Sequence, residues 1–417
     1  MASPLAHRLS QMTGRDPDEG HRAATPLELL FDLTFVVAFG IAADELAHYL
    51  AEDHIRTSLL GFSFVTFAIS WAWINFSWFA SAYDTDDWVF RLLTLLQMVG
   101  VLVLALGIAD VYASIDHGTY VDNGVMVAGY VVMRVAMVAQ WARVAREDPP
   151  RRRVAMTYVV TILAAQAGWI ALAIAKTSVG AMFAWAAGLI LIELGGPYIA
   201  ETRKGGTPWH PHHIAERYGL MVIIALGEAI LGTIAALGAI VGPEGQGWSV
   251  EAAVVGIAGV TLTFGMWWIY FVMPCGDILA RRRARSFGWG YGHIPLFGSV
   301  VAAGAGLHVA AYLVEDKTKL GVLDTLLTTA IPVAIYVFGL YILSTYLVKT
   351  IDPFHFLLIG LSALILGASV AMAAAGASIE WCLLVVSLAP WVTVVGYELV
   401  GHRHNARMLA ELDERGG

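Results

Sequence analysis

From Leu27 onward the chain is a succession of apolar runs, each long enough to cross a bilayer, and that repetition restricts the fold more than any other feature. A helix rises about 1.5 Å per residue, so a hydrocarbon layer of about 30 Å takes about 20 residues to cross. Runs of that length fall near 27–50, 57–80, 89–113, 122–143, 153–175 and 179–201. Six more fall near 214–240, 250–273, 288–313, 323–348, 354–375 and 379–401. The expected fold is all-α, a polytopic membrane protein of about twelve transmembrane helices, with the shortest break at Thr177 and Ser178. Hydrophobic residues make up 58% of the chain and charged ones 14%, where a soluble domain carries about 25% charged residues.

Charge and cysteine usage remove other classes. The formal net charge is −8 and no long basic run is present, so nucleic acid is not an expected partner. Cys275 and Cys382 are the only cysteines and support neither a disulfide framework nor a thiolate metal cluster. Residues 1–25 are polar and the first apolar run is long enough to be retained, so no cleavable signal peptide is expected.

Loop arginines predict an orientation. Arg143, Arg146, Arg151, Arg152 and Arg153 lie between the fourth and fifth runs, and Arg281, Arg282, Arg283 and Arg285 between the eighth and ninth. With an even number of spans these share one side with Arg8, Arg15, Arg22, Arg203, Lys204, Arg403, Arg407 and Arg415. The opposite side collects only Arg56, Lys176, Lys317 and Lys319. The positive-inside rule then places both termini in the cytoplasm of a bacterial cell, with the chain in its cytoplasmic (inner) membrane.

An internal echo suggests two halves. Leu27-Glu28 opens the first run and Ala215-Glu216 the seventh; Trp73-Ile74-Asn75-Phe76 closes the second and Trp268-Ile269-Tyr270-Phe271 the eighth. Ile192-Glu193-Leu194 in the sixth answers Tyr397-Glu398-Leu399 in the twelfth. The same order in both suggests a parallel six-plus-six repeat. The expected organisation is a polar tail over 1–25, six helices over 26–201, a linker over 202–213, six helices over 214–401 and a tail over 402–417.

A charge at the bilayer centre costs about 2.5–3.5 kcal/mol, so each ionisable residue in these runs needs a partner or a hydrated cavity. One group lies towards the expected cytoplasmic mouth. Glu28 and Asp32 share a helix face, Asn75 and the segment Tyr83-Asp84-Thr85-Asp86-Asp87 follow, and Arg91 opens the third run. His212, Glu216, Arg217, Tyr270, Asp277 and His293 are placed at comparable depth in the second half. They read either as a polar vestibule for an ion or solute, or as a salt-bridge network in which Arg91 and Arg217 hold acids. A deeper group comprises Arg134, Glu193 and Glu228. These neutralise one another or relay protons; an Arg134–Glu193 pair would leave Glu228 as the odd acid. His48, with Asp44 and Glu45, and His308 form no metal motif, and neither a metal nor another cofactor is expected.

Several of these segments resemble the bacterial low temperature requirement protein A (LtrA) family. Pro26-Leu27-Glu28-Leu29-Leu30-Phe31-Asp32-Leu33-Thr34-Phe35-Val36 looks like that family's ELFFDLVFV opening. Asn75 with Tyr83-Asp84-Thr85-Asp86-Asp87 and Arg91 looks like its N…FDTDDxxxR signature, with Tyr83 where Phe is commoner. His213 to Glu228 is similar to its HxxERxGLFxIIxLGE segment, with Met221 in place of Phe. Trp267-Trp268-Ile269-Tyr270-Phe271 and Gly292-His293-Ile294-Pro295-Leu296 fit as well. The resemblance covers nearly the whole membrane region and implies its topology; the family is named for a growth phenotype and implies no substrate.

The reading that follows is a transporter or channel-like protein for a small solute or ion, with protons coupled through Glu228, Asp32 or Glu216. An alternative is a membrane-embedded enzyme acting on a lipid or isoprenoid, with Asp84, Asp86 and Asp87 holding Mg²⁺. A membrane sensor or scaffold is a second alternative. Expected partners are the lipid bilayer and a small solute or ion, and homo-oligomerisation stays open.

Overall fold

The computed structural model describes residues 9–17, 19–20, 22–242, 247–350 and 352–416, with the side chains of 415 and 416 left out. Arg8 and the side chain of Arg415 therefore lie outside the described residues. Every long element among those described is helical, and 12 helices are long and apolar enough to cross a membrane. They are α1 (Pro26–Ala51), α2 (Ile55–Tyr83), α3 (Trp88–His117), α4 (Gly124–Glu147), α5 (Pro149–Ala175) and α6 (Val179–Arg203). The rest are α7 (Pro211–Val241), α8 (Val250–Arg281), α9 (Arg283–Val314), α10 (Val322–Val348), α11 (Pro353–Ala374) and α12 (Ile379–Glu414). The break at 176–178 is a real turn, because Lys176 takes φ 44°, a left-handed conformation that ends α5.

Local chemistry sets the helix starts. Thr25, Pro26 and Glu28 form a capping box: the Thr25 amide donates to Glu28 Oε2 at 2.8 Å and the Glu28 amide donates to Thr25 Oγ1 at 3.3 Å. Asp87 caps α3 by accepting from the Phe90 amide at 2.9 Å, and Asp352 caps α11 by accepting from Phe354. The end of α2 is closed by Arg22, whose buried guanidinium donates to the carbonyls of Ala80, at 2.6 Å, and Ser81.

The outer surface differs from that of a water-soluble bundle. Ile174, Leu191, Ile342 and Leu364 are about 70% exposed, while Glu28, Asp32, Arg134, Glu193 and Arg217 are buried. A surface of leucine and isoleucine around an apolar interior that also holds a few charged side chains is what a lipid solvent selects. The chain is a multi-pass membrane protein.

Contacts divide the chain into two compact units. The first comprises 1–41 and 67–214 and the second 42–66 and 215–417. In the first unit α3 packs on α4, α4 on α5 and α5 on α6. The α3–α4 contact closes on glycine: a Cβ at Gly100 would lie 2.7 Å from the Gly129 carbonyl oxygen, so backbones approach where a side chain would separate them. In the second unit α9 packs on α10, α10 on α11, α11 on α12 and α12 on α8. The second unit also takes in the tip of the α1–α2 hairpin. Residues paired by the sequence echo also differ in setting. Glu28 and Glu193 are buried, whereas Glu216 and Glu398 are exposed.

Candidate functional site

In the first unit, the acids that looked like a vestibule are held by specific partners. Glu28, besides capping α1, lies 3.2 Å from His213 Nε2, both side chains being fully buried. Asp32, one turn on, accepts from Trp73 Nε1 at 2.7 Å. The Asn75 amide donates to the Trp71 carbonyl at 2.7 Å.

The loop between α2 and α3 separates its three aspartates. Asp84 is buried and accepts from the Asp86 amide at 2.8 Å. Burial first, and then the Glu28 carboxylate, push its carboxyl up to about 6, against the Asp86 amide and the Arg22 guanidinium. Asp86, in a left-handed conformation at φ 46°, takes Arg91 in a bidentate pair with both contacts at 2.8 Å. Asp87 caps α3 and receives Arg143 at 2.6 and 3.1 Å and the Ser10 amide at 3.3 Å. Burial opposes ionisation of Asp87, but Arg143 and the Phe90 amide outweigh it and hold its carboxyl below the usual range. The carboxylates point to different partners, so the loop does not present the shared oxygen cage that a Mg²⁺-pyrophosphate site requires.

The structure brings Arg134 and Glu193 together at 3.1 Å, with both side chains nearly inaccessible. Tyr130 completes the group by bonding Arg134 Nη2 and lying under its guanidinium at 4.5 Å, and Trp71 Nε1 donates to Glu193 Oε2 at 2.8 Å. Arg134 thus donates to both Tyr130 and Glu193 and Trp71 donates to Glu193, while Arg134 Nε and Glu193 Oε1 stay buried without a hydrogen bond among the described residues.

In the second unit His293 is enclosed by aromatic rings. Its Nδ1 lies 2.8 Å from the Trp289 carbonyl, which only accepts, so Nδ1 carries the proton. Nε2 then accepts from the Tyr270 hydroxyl at 2.9 Å. Tyr218 and Trp289 close around the ring at centroid distances of 4.8 and 4.5 Å. Arg217 is fully buried while Glu216 is exposed, so these neighbours occupy different faces of α7.

Glu228 is unlike all of these. It is 3% exposed, in the middle of α7, and makes no hydrogen bond or ion pair among the described residues. The backbone around it is pressed against α9, since a Cβ at Gly304 would lie 2.6 Å from the Glu228 carbonyl oxygen. One turn further on both helices, Gly232 meets His308: a Cβ at Gly232 would lie 3.0 Å from His308 Cδ2. His308 Nδ1 in turn lies 3.9 Å from Asp44 Oδ1 on α1. Side-chain exposure rises from the buried Glu228 through 19% at His308 to 71% at Asp44. Three titratable groups on three helices therefore lead from the interior of the unit to its surface.

The family model for bacterial low temperature requirement A protein (LtrA) matches residues 23–390. The chain belongs to this family. Segments that carry the LtrA resemblance thus include both the partnered acids around Glu28 and Asp84 and Glu228, which makes no hydrogen bond or ion pair among the described residues. An uncharacterized protein of Rhizobium meliloti (strain 1021) is 25% identical over 295 residues, covering 67% of each chain. No solved structure matches the LtrA chain significantly.

Sequence reasoning singled out Glu228 but not its route to Asp44. The i,i+4 spacings Glu228–Gly232 and Gly304–His308 were its signal, each placing a small residue beside an ionisable one. The Thr25-to-Glu28 capping box was legible as well. Trp71–Glu193, Trp73–Asp32 and His213–Glu28 link residues far apart in sequence, and no local pattern announces them.

Proposed function

We propose that this LtrA-family protein is a proton-coupled transporter of a small solute or ion in which Glu228 gains and loses the coupling proton. The observation that carries this reading is an acidic residue, 3% exposed at span depth, without a hydrogen bond or ion pair among the described residues. A group that only held helices together would have a partner, as Glu193 has in Arg134. An acid left without one is tolerated as a neutral carboxyl and becomes useful when a proton must leave it. His308, packed beside Gly232 one turn from Glu228, and Asp44, 3.9 Å from His308 and largely exposed, are the titratable side chains between this turn of α7 and the surface. In this reading the two six-helix repeats form the framework, and both termini lie in the cytoplasm of a bacterial cell, as the loop arginines ask.

Reconstitution tests it. In liposomes holding a trapped pH indicator, the wild-type protein is expected to carry protons down an imposed gradient faster than empty vesicles. Glu228→Gln is expected to bring the rate to that of empty vesicles while the protein stays monodisperse. Folded wild-type protein that moves no protons, ions or candidate solutes would sink the reading.

A further inference from the structure

Two prolines shape a second feature of the second unit. Pro295 lies inside α9 and Pro332 inside α10, where each removes a backbone donor from its helix. Both line a groove of about 700 Å³ whose other wall is the tip of the α1–α2 hairpin, residues 46–66. Gly298 keeps that wall close, since a Cβ there would lie 2.9 Å from Thr66 Cγ2. The groove is apolar along its length, and Leu59, Ile331 and Ile335 on its edges are about half exposed. On a transmembrane surface those edges face lipid, so the groove opens sideways into the bilayer.

One end of the groove is acidic. Asp53, held in the α1–α2 turn at φ 63°, and Asp324, in the first turn of α10, both line it. Neither makes an ion pair among the described residues. Lys319 pairs with Glu52 at 2.7 Å and also acts electrostatically on Asp53. Arg56 follows Asp53 by three residues, is exposed, and makes no ion pair among the described residues either. An apolar slot ending in two carboxylates with a guanidinium nearby matches an amphiphile that carries an ammonium beyond a phosphate. An anionic headgroup would meet Asp53 and Asp324 as like charges.

We propose that this groove is a binding site for an acyl chain of a zwitterionic amino phospholipid, its ammonium held by Asp53 and Asp324. The site is separate from Glu228 and stands whether or not the protein carries protons.

Photo-crosslinking with the full-length purified protein tests it. Phosphatidylethanolamine and phosphatidylglycerol, each bearing the same photoreactive acyl chain, are compared in otherwise identical bilayers, and adducts are mapped by mass spectrometry. The expected result is adduct on residues 59–66 and 294–302, with phosphatidylethanolamine favoured by about fivefold, a modest headgroup preference on the affinity scale. Asp53→Asn with Asp324→Asn is expected to abolish the preference while adducts persist at the same residues. Three results would overturn the proposal: equal labelling by the two lipids, adducts that map elsewhere, or a preference that survives the double substitution. The lipid comparison on the wild-type protein does not depend on the variant folding.

Discussion

Asp84, Asp86 and Asp87 put three acids within four residues, and Glu228 is a single carboxyl in an apolar helix. By density the aspartate loop is the place to look for chemistry. By partners the order reverses. Asp86 is occupied by Arg91, Asp87 by Arg143 and the α3 amide, and Asp84 by the turn it folds around. Glu228 has no partner among the described residues. Clustered acids at the end of a helix can cap, pair and turn the chain, because each has backbone amides and surface arginines within reach. An acid in the middle of a span has only what neighbouring helices bring, and here α9 brings glycine.

The sharpest test of that contrast substitutes the same group in both settings. Glu193→Gln leaves Arg134 charged and buried, and breaking such a pair costs about 3–5 kcal/mol. Glu228→Gln removes a carboxyl that pairs with nothing among the described residues, and is expected to leave stability unchanged or slightly raised. Unfolding of both variants in a graded denaturant reads the difference. Equal losses would mean that Glu228 has a structural partner and that the contrast is wrong.

Asp84 gives the next largest effect. Its folded carboxyl is pushed up to about 6, so between about pH 4 and about pH 6 the folded protein keeps a proton that the unfolded chain has released. Stability therefore falls as pH rises through that window and stays lower above it. Asp84→Asn removes the penalty, and its Oδ1 can still accept from the Asp86 amide. Relative to wild type the variant is expected to match at about pH 4 and to gain about 2–3 kcal/mol by about pH 7. A stability difference that does not change with pH would place the Asp84 carboxyl in contact with water.

The spans were legible in the sequence because length and apolarity alone set them, and lipid imposes both. Observed limits lie within a few residues of the expected ones where apolar runs end in a cap, as at Pro26 and Val250. They extend further where a polar stretch stays helical, as in α8 and α12. Arg134 and Glu193 could be put at similar depth by counting residues, but Tyr130 and Trp71 could not be added to them. Whether an acid is satisfied depends on which helices touch, and no pattern within one helix carries that information. His293 shows the same limit. It stood out as a polar residue at a helix mouth, yet both ring nitrogens are taken up by Trp289 and Tyr270.

The smallest effect belongs to the most conspicuous ion pair. Arg91 and Asp86 meet in an ideal bidentate geometry at 2.8 Å, but both side chains are more than half exposed. Water solvates each charge nearly as well as its partner does, so Arg91→Ala is expected to cost less than about 1 kcal/mol, and raised salt should shrink that further. The left-handed turn at Asp86 remains held by the Asp84 side chain in the variant. A loss of proton flux in Arg91→Ala without a loss of stability would return the aspartate loop to the transport path and remove the contrast with Glu228. Unchanged flux would leave Arg91 as a surface clamp on one turn of chain.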